Sequence, residues 1–166
     1  MDNNRLSEDD YYLATKLSPI LAIDLIVQDQ DGCILVGRRR NAPARGAWFV
    51  PGGALRKGET VREGIQRVCL EELGFTIDPR LLIITAIADH VYPDNFRDDQ
   101  HGTQYVCLAY STAIADRNQV SSQVFAKQHL QMAWMTKENI RKYAHPNTTN
   151  YFKNASDEDI SFNLLY

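Results

Sequence analysis

The chain has few cysteines, no long hydrophobic run and no recognisable export signal. Its three cysteines, Cys33, Cys69 and Cys107, are odd in number, far apart and set in apolar surroundings, which favours reduced core thiols over a disulfide framework or a zinc site. The longest apolar stretches, Pro19–Val27 and Leu81–Ala88, are too short to span a bilayer. The N-terminus is polar and acidic, whereas a secretory signal is basic and then apolar. These absences predict a cytoplasmic protein without a membrane partner.

The chain also lacks an excess of positive charge. It has 18 Lys and Arg against 21 Asp and Glu, a formal net charge of −3, so no overall basic field exists to hold a nucleic-acid backbone. Its 166 residues are 44% hydrophobic, which is ordinary for a globular protein. A chain of this length buries roughly 70% of its unfolded surface. We therefore expect one domain over residues 1–166, with a built pocket and no nucleic-acid partner.

Turn residues and hydrophobic periodicity predict alternating helices and strand pairs. Strands are predicted at Ile20–Val27 paired with Cys33–Val36, at Leu81–Val91 paired with Gln104–Ile114, and at Met132–Met135. Helices are predicted over about residues 7–17, 59–74 and 137–143. Because the strands come in hairpins with helices between them, we expect an α/β (α+β) fold with a mixed β-sheet packed between helices.

The segment Gly53–Phe75 carries the clearest chemical signal. Residues three and four apart share one face of a helix, so Glu71 and Glu72 form an acidic edge, with Glu59 near the helix entry. Carboxylates in this arrangement can hold Mg²⁺ while substrate phosphates complete its coordination shell. Taken alone, the pattern also fits a surface helix with an Arg67–Glu71 ion pair worth roughly 0.2–0.5 kcal/mol.

The spacing in this segment resembles the Nudix box of the Nudix hydrolases. The matching positions are Gly53, Glu59, Arg67, Cys69, Glu71, Glu72, Gly74 and Phe75. Val68 departs from the pattern, because it stands where the family has a glutamate of the metal cluster that activates water for attack on phosphorus. A valine can neither bind a metal nor accept a proton. The departure predicts fewer metal ions, or a catalytic base elsewhere in the chain.

The wider chain resembles the GDP-mannose mannosyl hydrolase branch of the Nudix family, from the first helix to about Phe152. The resemblance rests on Asp24, Gly37–Arg39, Asn41–Ala44, Gly46, Trp48–Gly53, His90–Phe96, Tyr105 and Gln128-His129. That branch also lacks the glutamate at the position of Val68. The resemblance implies a Nudix-type fold with its box at residues 53–75, and a homodimer.

The reaction implied by this branch is attack of water on the anomeric carbon of a nucleotide sugar, with inversion. The substrate would be GDP-mannose, with GDP-glucose as a related one, and the products GDP and free hexose. His129 would be the general base, a role suited to an imidazole that is neutral near pH 7. The Gly52 carbonyl, Glu72 and Gln128 would hold Mg²⁺, for which Mn²⁺ can substitute.

The resemblance also assigns the remaining site residues. Arg39, Arg67 and Asp24 would act in catalysis, and Arg39, His90, Tyr105 and Asp24 would contact the substrate. The branch has an arginine shortly after the Gly-Gly pair where this chain has Ala54, and Arg56 is the candidate to replace it. Guanidinium groups suit a diphosphate because they donate two parallel hydrogen bonds to phosphate oxygens.

Two other functions stay open on the sequence alone. One is an ordinary Nudix pyrophosphatase that attacks phosphorus in a nucleoside diphosphate derivative. The other is a non-catalytic domain that senses a nucleotide sugar, since the box is incomplete at Val68. Without the resemblance, His129 is more often a solvated loop histidine, and His90 a strand-end histidine with satisfied hydrogen bonds.

Overall fold

The helices and strands begin and end close to the positions that the local sequence predicts. The computed structural model describes residues 5–98 and 100–153, so the predicted single domain of residues 1–166 extends beyond the described part. The elements are α1 (Glu8–Leu17), β1 (Ile20–Gln28), β2 (Ile34–Arg39), β3 (Trp48–Phe49), β4 (Gly52–Ala54), α2 (Val61–Leu73), β5 (Ile83–Tyr92), β6 (Thr103–Ala113), α3 (Ser122–Gln128), β7 (His129–Met135), α4 (Lys137–Tyr143) and α5 (Pro146–Thr149). Short 3₁₀ turns occur at Pro79–Leu81, Arg117–Gln119 and Asn150–Phe152.

The helix of the box has its limits set by capping. The Thr60 hydroxyl accepts a hydrogen bond from the Glu63 amide, and the Glu63 carboxylate accepts one from the Thr60 amide, which together form a capping box. At the other end Gly74 adopts a left-handed conformation with φ of 82°, which glycine takes without steric cost. These caps fix where the acidic edge of α2 begins and ends.

The strands form one mixed sheet in the order β3-β2-β1-β6-β5, with β4 paired to β1 and β7 to β2. Strands β1 and β6 run parallel, and the other pairs run antiparallel. Helices flank the sheet, which confirms the predicted fold class. Within the described part of the chain, no helix is long and apolar enough to cross a bilayer.

The core lies on both faces of the sheet, because successive residues of β1 point to opposite sides. On one face Ile23 and Leu25 pack with α2 and α3 through residues that include Val68 and Phe125. On the other face Ile26 packs in a second cluster that includes residues of α4 and the last 3₁₀ turn. Strand β1 is therefore held from both sides, and the side chains that it presents at the cleft described below are fixed.

Candidate active site

A cleft of about 1290 Å³ brings the predicted site residues together. It is bordered by the start of α1, by residues 39–45, by β4 and by the C-terminal half of α2. Every residue predicted for the site lines it: Asp24, Arg39, Gly52, Arg56, Arg67, Glu72, His90, Tyr105, Gln128 and His129. The cleft thus collects residues that lie more than a hundred positions apart in the chain.

Glu72 and His129 form a buried pair at one side of the cleft. His129 Nε2 lies 2.9 Å from Glu72 Oε2, and the two residues are 7% and 6% exposed. The imidazole stacks on Phe125 with ring centroids 4.2 Å apart. Behind it lies Gly37 of β2, where a methyl group would overlap Nδ1. His129 is therefore not a solvated loop residue, because packing holds its ring with Nε2 towards the carboxylate.

Val68 is a core residue. It is 1% exposed and belongs to the apolar cluster that contains Ile23 and Leu25. The backbone of Gly53 lies so close that a methyl group there would be 3.2 Å from Val68 Cγ2. In this chain, the position that carries a metal-binding glutamate in the ordinary Nudix box is therefore part of the hydrophobic core.

The other box carboxylates are held by arginines. Arg67 donates to both oxygens of Glu59, at 2.5 and 2.8 Å, to Glu71 Oε2 at 2.9 Å, and to the Ala54 carbonyl at 2.9 Å. The Arg67 hydrogen bonds hold the pKa of Glu59 below its ordinary value. Arg56 Nη2 donates to Glu71 Oε1 at 2.8 Å. Both arginines line the cleft, but the guanidinium N–H groups named here are already hydrogen-bonded to carboxylates of the Nudix box.

Arg39 differs from the box arginines in its contacts. Its guanidinium lies over the Phe49 ring, with Cζ 5.3 Å from the centroid. Within residues 5–98 and 100–153 it forms no ion pair with a carboxylate. A guanidinium stacked on an aromatic face keeps its in-plane N–H donors available for two oxygens of one anion. Arg39 is therefore well suited to receive phosphate oxygens.

The floor of the cleft is a hydrogen-bonded cluster around Asp24 and His90. The Tyr151 hydroxyl donates to Asp24 Oδ2 at 2.7 Å and lies 3.1 Å from His90 Nε2. His90 Nδ1 lies 3.2 Å from Cys107 Sγ. Burial raises the pKa of Asp24 to about 6 and lowers that of His90 to about 4. His90 is consequently neutral near pH 7.

Tyr151 is a site residue that the sequence did not reveal. It is 127 positions from Asp24, in the last described 3₁₀ turn, and no spacing pattern links the two. Tyr105, which the sequence did indicate, lines the cleft from β6, and its hydroxyl oxygen is 3.2 Å from that of Tyr11 in α1. Helix α1 thus contributes to the wall of the cleft.

The donors predicted for Mg²⁺ fit that ion chemically. Magnesium prefers carboxylate, amide and carbonyl oxygens, and the cleft lining includes Glu72, Gln128 and the backbone of Gly52. Gly52 pairs with Asp24 across β1 and β4, and a side chain at Gly52 would overlap Asp24 Oδ1. Only glycine allows the backbone to approach this closely. Gln128 immediately precedes His129, so the predicted ligand and base are adjacent in the chain.

Comparison with known proteins agrees with this architecture. The family model for the NUDIX domain matches residues 19–155. The low-salt glycan biosynthesis protein Agl8 of Haloferax volcanii is 34% identical over 116 residues, which cover 69% of this chain and 71% of that protein. The ADP-ribose pyrophosphatase of Methanocaldococcus jannaschii is 41% identical over 58 residues, 35% of this chain and 34% of that protein.

A solved structure supports the fold. The MutT NUDIX hydrolase from Burkholderia pseudomallei superposes with a TM-score of 0.67 at 22% identity, covering 84% of this chain and 99% of that chain. The family match spans most of the sequence, and the mixed sheet with its box helix is the architecture of that neighbour. The chain belongs to the Nudix domain family.

Proposed function

We propose that this protein is a Mg²⁺-dependent Nudix hydrolase that cleaves GDP-mannose, or a closely related GDP-hexose, to GDP and free hexose. Water attacks the anomeric carbon with inversion, and His129 is the general base. The observation that carries the proposal is the fixed His129–Glu72 pair in the cleft. Val68, at the position of the glutamate that ordinary Nudix hydrolases use for attack on phosphorus, is buried in the apolar core. The relative named as a glycan biosynthesis protein supports a substrate that contains a sugar.

Proton transfer in this scheme takes place at His129 Nε2. Nδ1 is turned towards Gly37, whereas Nε2 faces the cleft carboxylate of Glu72. A neutral imidazole in this contact donates Nε2–H to the carboxylate, so Nε2 becomes a base only when Glu72 turns to its role as a metal ligand and releases it. Water's proton then passes to the Nε2 lone pair as its oxygen bonds to the anomeric carbon. General-base assistance of this kind contributes roughly 10²–10⁴ in rate.

The leaving group is the diphosphate of GDP. The bond between the anomeric carbon and the phosphate oxygen breaks, and its electron pair stays on the diphosphate. Arg39 stabilises this charge with its in-plane donors. Magnesium held by the Gly52 carbonyl, Glu72 and Gln128 would supply further neutralisation of the same diphosphate.

The sugar is assigned to the floor of the cleft. Asp24 has an acceptor oxygen fixed by the Tyr151 hydroxyl, and Tyr105 offers a hydroxyl from the neighbouring strand. His90, neutral near pH 7, has both ring nitrogens paired with Tyr151 and Cys107, so it supports the cleft floor and leaves Asp24 and Tyr105 to meet the sugar. These are the groups that recognise sugar hydroxyls through donated and accepted hydrogen bonds.

Product analysis in isotope-labelled water tests the proposal. GDP-mannose is incubated with the full chain and Mg²⁺, and the products are examined by NMR and mass spectrometry. The proposal predicts label in the hexose and initial formation of the inverted anomer. Label in a phosphate product would instead establish attack on phosphorus.

An ordinary Nudix pyrophosphatase is the second candidate. It is favoured by the match to an ADP-ribose pyrophosphatase over 58 residues. Comparing GDP-mannose with ADP-ribose in the same labelling assay separates the two functions. If neither compound nor any other nucleotide sugar releases product with Mg²⁺, the sensor hypothesis replaces both. The homodimer remains a prediction, for which light scattering coupled to gel filtration is the test.

A further inference from the structure

Three side chains at the floor of the cleft have the chemistry and spacing of zinc ligands. Asp24, His90 and Cys107 come from β1, β5 and β6, and their ligand atoms all lie within 4.8 Å of one another. His90 Nδ1 is 3.2 Å from Cys107 Sγ and 3.9 Å from Asp24 Oδ2. Around a tetrahedral ion with bonds of roughly 2.0–2.3 Å, ligand atoms are about 3.3–3.8 Å apart. Only small side-chain shifts separate the observed cluster from that geometry.

The sheet register explains why these side chains meet. Cys107 lies opposite Ala22 of β1 on one side and opposite Ala88 of β5 on the other. Asp24 and His90 are each two residues further along strands that run in opposite directions, so they lie diagonally on either side of Cys107, opposite Ala109 and Tyr105. All three side chains point to the same face. The arrangement is therefore built into strand pairing and does not depend on a loop.

The hydrogen bonds of Tyr151 present His90 in the tautomer that a metal requires. The hydroxyl has one proton, which it donates to Asp24 Oδ2 at 2.7 Å, so its oxygen accepts from His90 Nε2 at 3.1 Å. The unprotonated nitrogen is then Nδ1, which faces Cys107 Sγ. Histidines that ligate metals almost always donate their other ring N–H to an oxygen acceptor, and the Tyr151 hydroxyl is that acceptor here.

We propose that Asp24, His90 and Cys107 bind a thiophilic divalent ion of the Zn²⁺ class at the floor of the cleft. The site is distinct from the oxygen donors Gly52, Glu72 and Gln128. On binding, the Cys107 thiol loses its proton to solvent as the sulfur–metal bond forms, while the Asp24 carboxylate and the neutral imidazole contribute existing lone pairs. All three residues line the cleft, so the fourth coordination position is open to water or a ligand oxygen. Cys107 is then more than a core thiol, contrary to the expectation from cysteine spacing.

Cobalt spectroscopy tests this site without reference to activity. The full chain, freed of metal with a chelator and then given excess Mg²⁺ to fill the oxygen site, is titrated with Co²⁺. The proposal predicts equimolar binding with a sulfur-to-cobalt charge-transfer band in the near ultraviolet and the intense visible bands of tetrahedral cobalt. Added Zn²⁺ is expected to displace the cobalt and abolish these bands.

Two variants identify the sulfur. Cys107→Val introduces a β-branched apolar side chain that suits a strand, and it is expected to lose the charge-transfer band. Cys33→Ser removes a partly exposed thiol and is expected to keep it. Absence of the band in the wild-type chain would overturn the proposal, whether or not Cys107→Val folds. Persistence of the band in folded Cys107→Val, or its loss in Cys33→Ser, would do the same.

Discussion

Replacing Asp24 with asparagine is expected to stabilise the protein at alkaline pH while removing a site residue. Burial raises the pKa of the Asp24 carboxyl from its ordinary 3.8 to about 6, although the Tyr151 hydroxyl and the charge of Arg39 act in the opposite direction. At 1.36 kcal/mol for each pKa unit, ionising this carboxyl in the folded protein lowers the free energy of unfolding by about 3 kcal/mol. The asparagine has no charge to bury, and its amide oxygen can still accept from Tyr151.

The direction of the pH dependence follows from comparing the pKa of Asp24 in the folded and unfolded protein. Because the folded pKa is above the unfolded one, the contribution of Asp24 to stability is fully present below 3.8 and is lost as the pH rises through about 6. Urea unfolding with a chelator present should show Asp24→Asn gaining up to about 3 kcal/mol over the wild type at about pH 8, and little at about pH 3.5. The gain should develop between these two values.

Asp29→Asn is the matched control with the opposite sign. Burial acts to raise the Asp29 pKa, but hydrogen bonds from the Cys33 amide and the Arg117 guanidinium outweigh it and hold the pKa below its ordinary value. This variant should therefore lose stability near pH 8. The reasoning is refuted if Asp24→Asn shows no advantage at about pH 8, or an equal one at both pH values.

The remaining predictions concern the base and the core beside it. His129→Gln should lower turnover of GDP-mannose about 10²–10⁴-fold while GDP binding, measured by calorimetry, changes little; unchanged turnover would exclude His129 as the base. Gly37→Ala should also lower turnover, because the added methyl overlaps the His129 ring, and overpacking should cost about 1–3 kcal/mol in urea unfolding; a fully active variant would contradict the packing described. Val68→Glu should lose several kcal/mol in the same unfolding assay and give no phosphate-labelled product, because its carboxylate enters the apolar core. Gain of phosphorus attack would show that valine alone blocks that chemistry.

The parts of the fold that local chemistry determines were predictable from sequence. The helices predicted over residues 59–74 and 137–143 agree closely with α2 and α4, and the caps at Thr60 and Gly74 explain where α2 begins and ends. Strand β7 was predicted only from Met132, whereas it begins at His129. The polar residues His129 and Gln131 obscure the alternation of polar and apolar residues that is typical of a strand. Pairing with β2 stabilises the extended conformation there.

The residues that form the site were easier to predict from the sequence than the contacts between them. The Arg67–Glu71 pair follows from helical spacing, but the double hydrogen bond from Arg67 to Glu59 depends on how the loop before α2 folds back. The cluster at the cleft floor depends on the parallel pairing of β1 with β6, which no local pattern determines. Tyr151 joins that cluster only through the path of the C-terminal turns.

Through its hydrogen bond to Asp24, Tyr151 makes the last described turn of the chain a support of the cleft floor. Under the proposed function, substitutions at Tyr151, far in sequence from the box, are expected to change selectivity between sugars without altering the box. A fusion or deletion just beyond residue 153 therefore acts close to a side chain that holds Asp24 at the cleft floor.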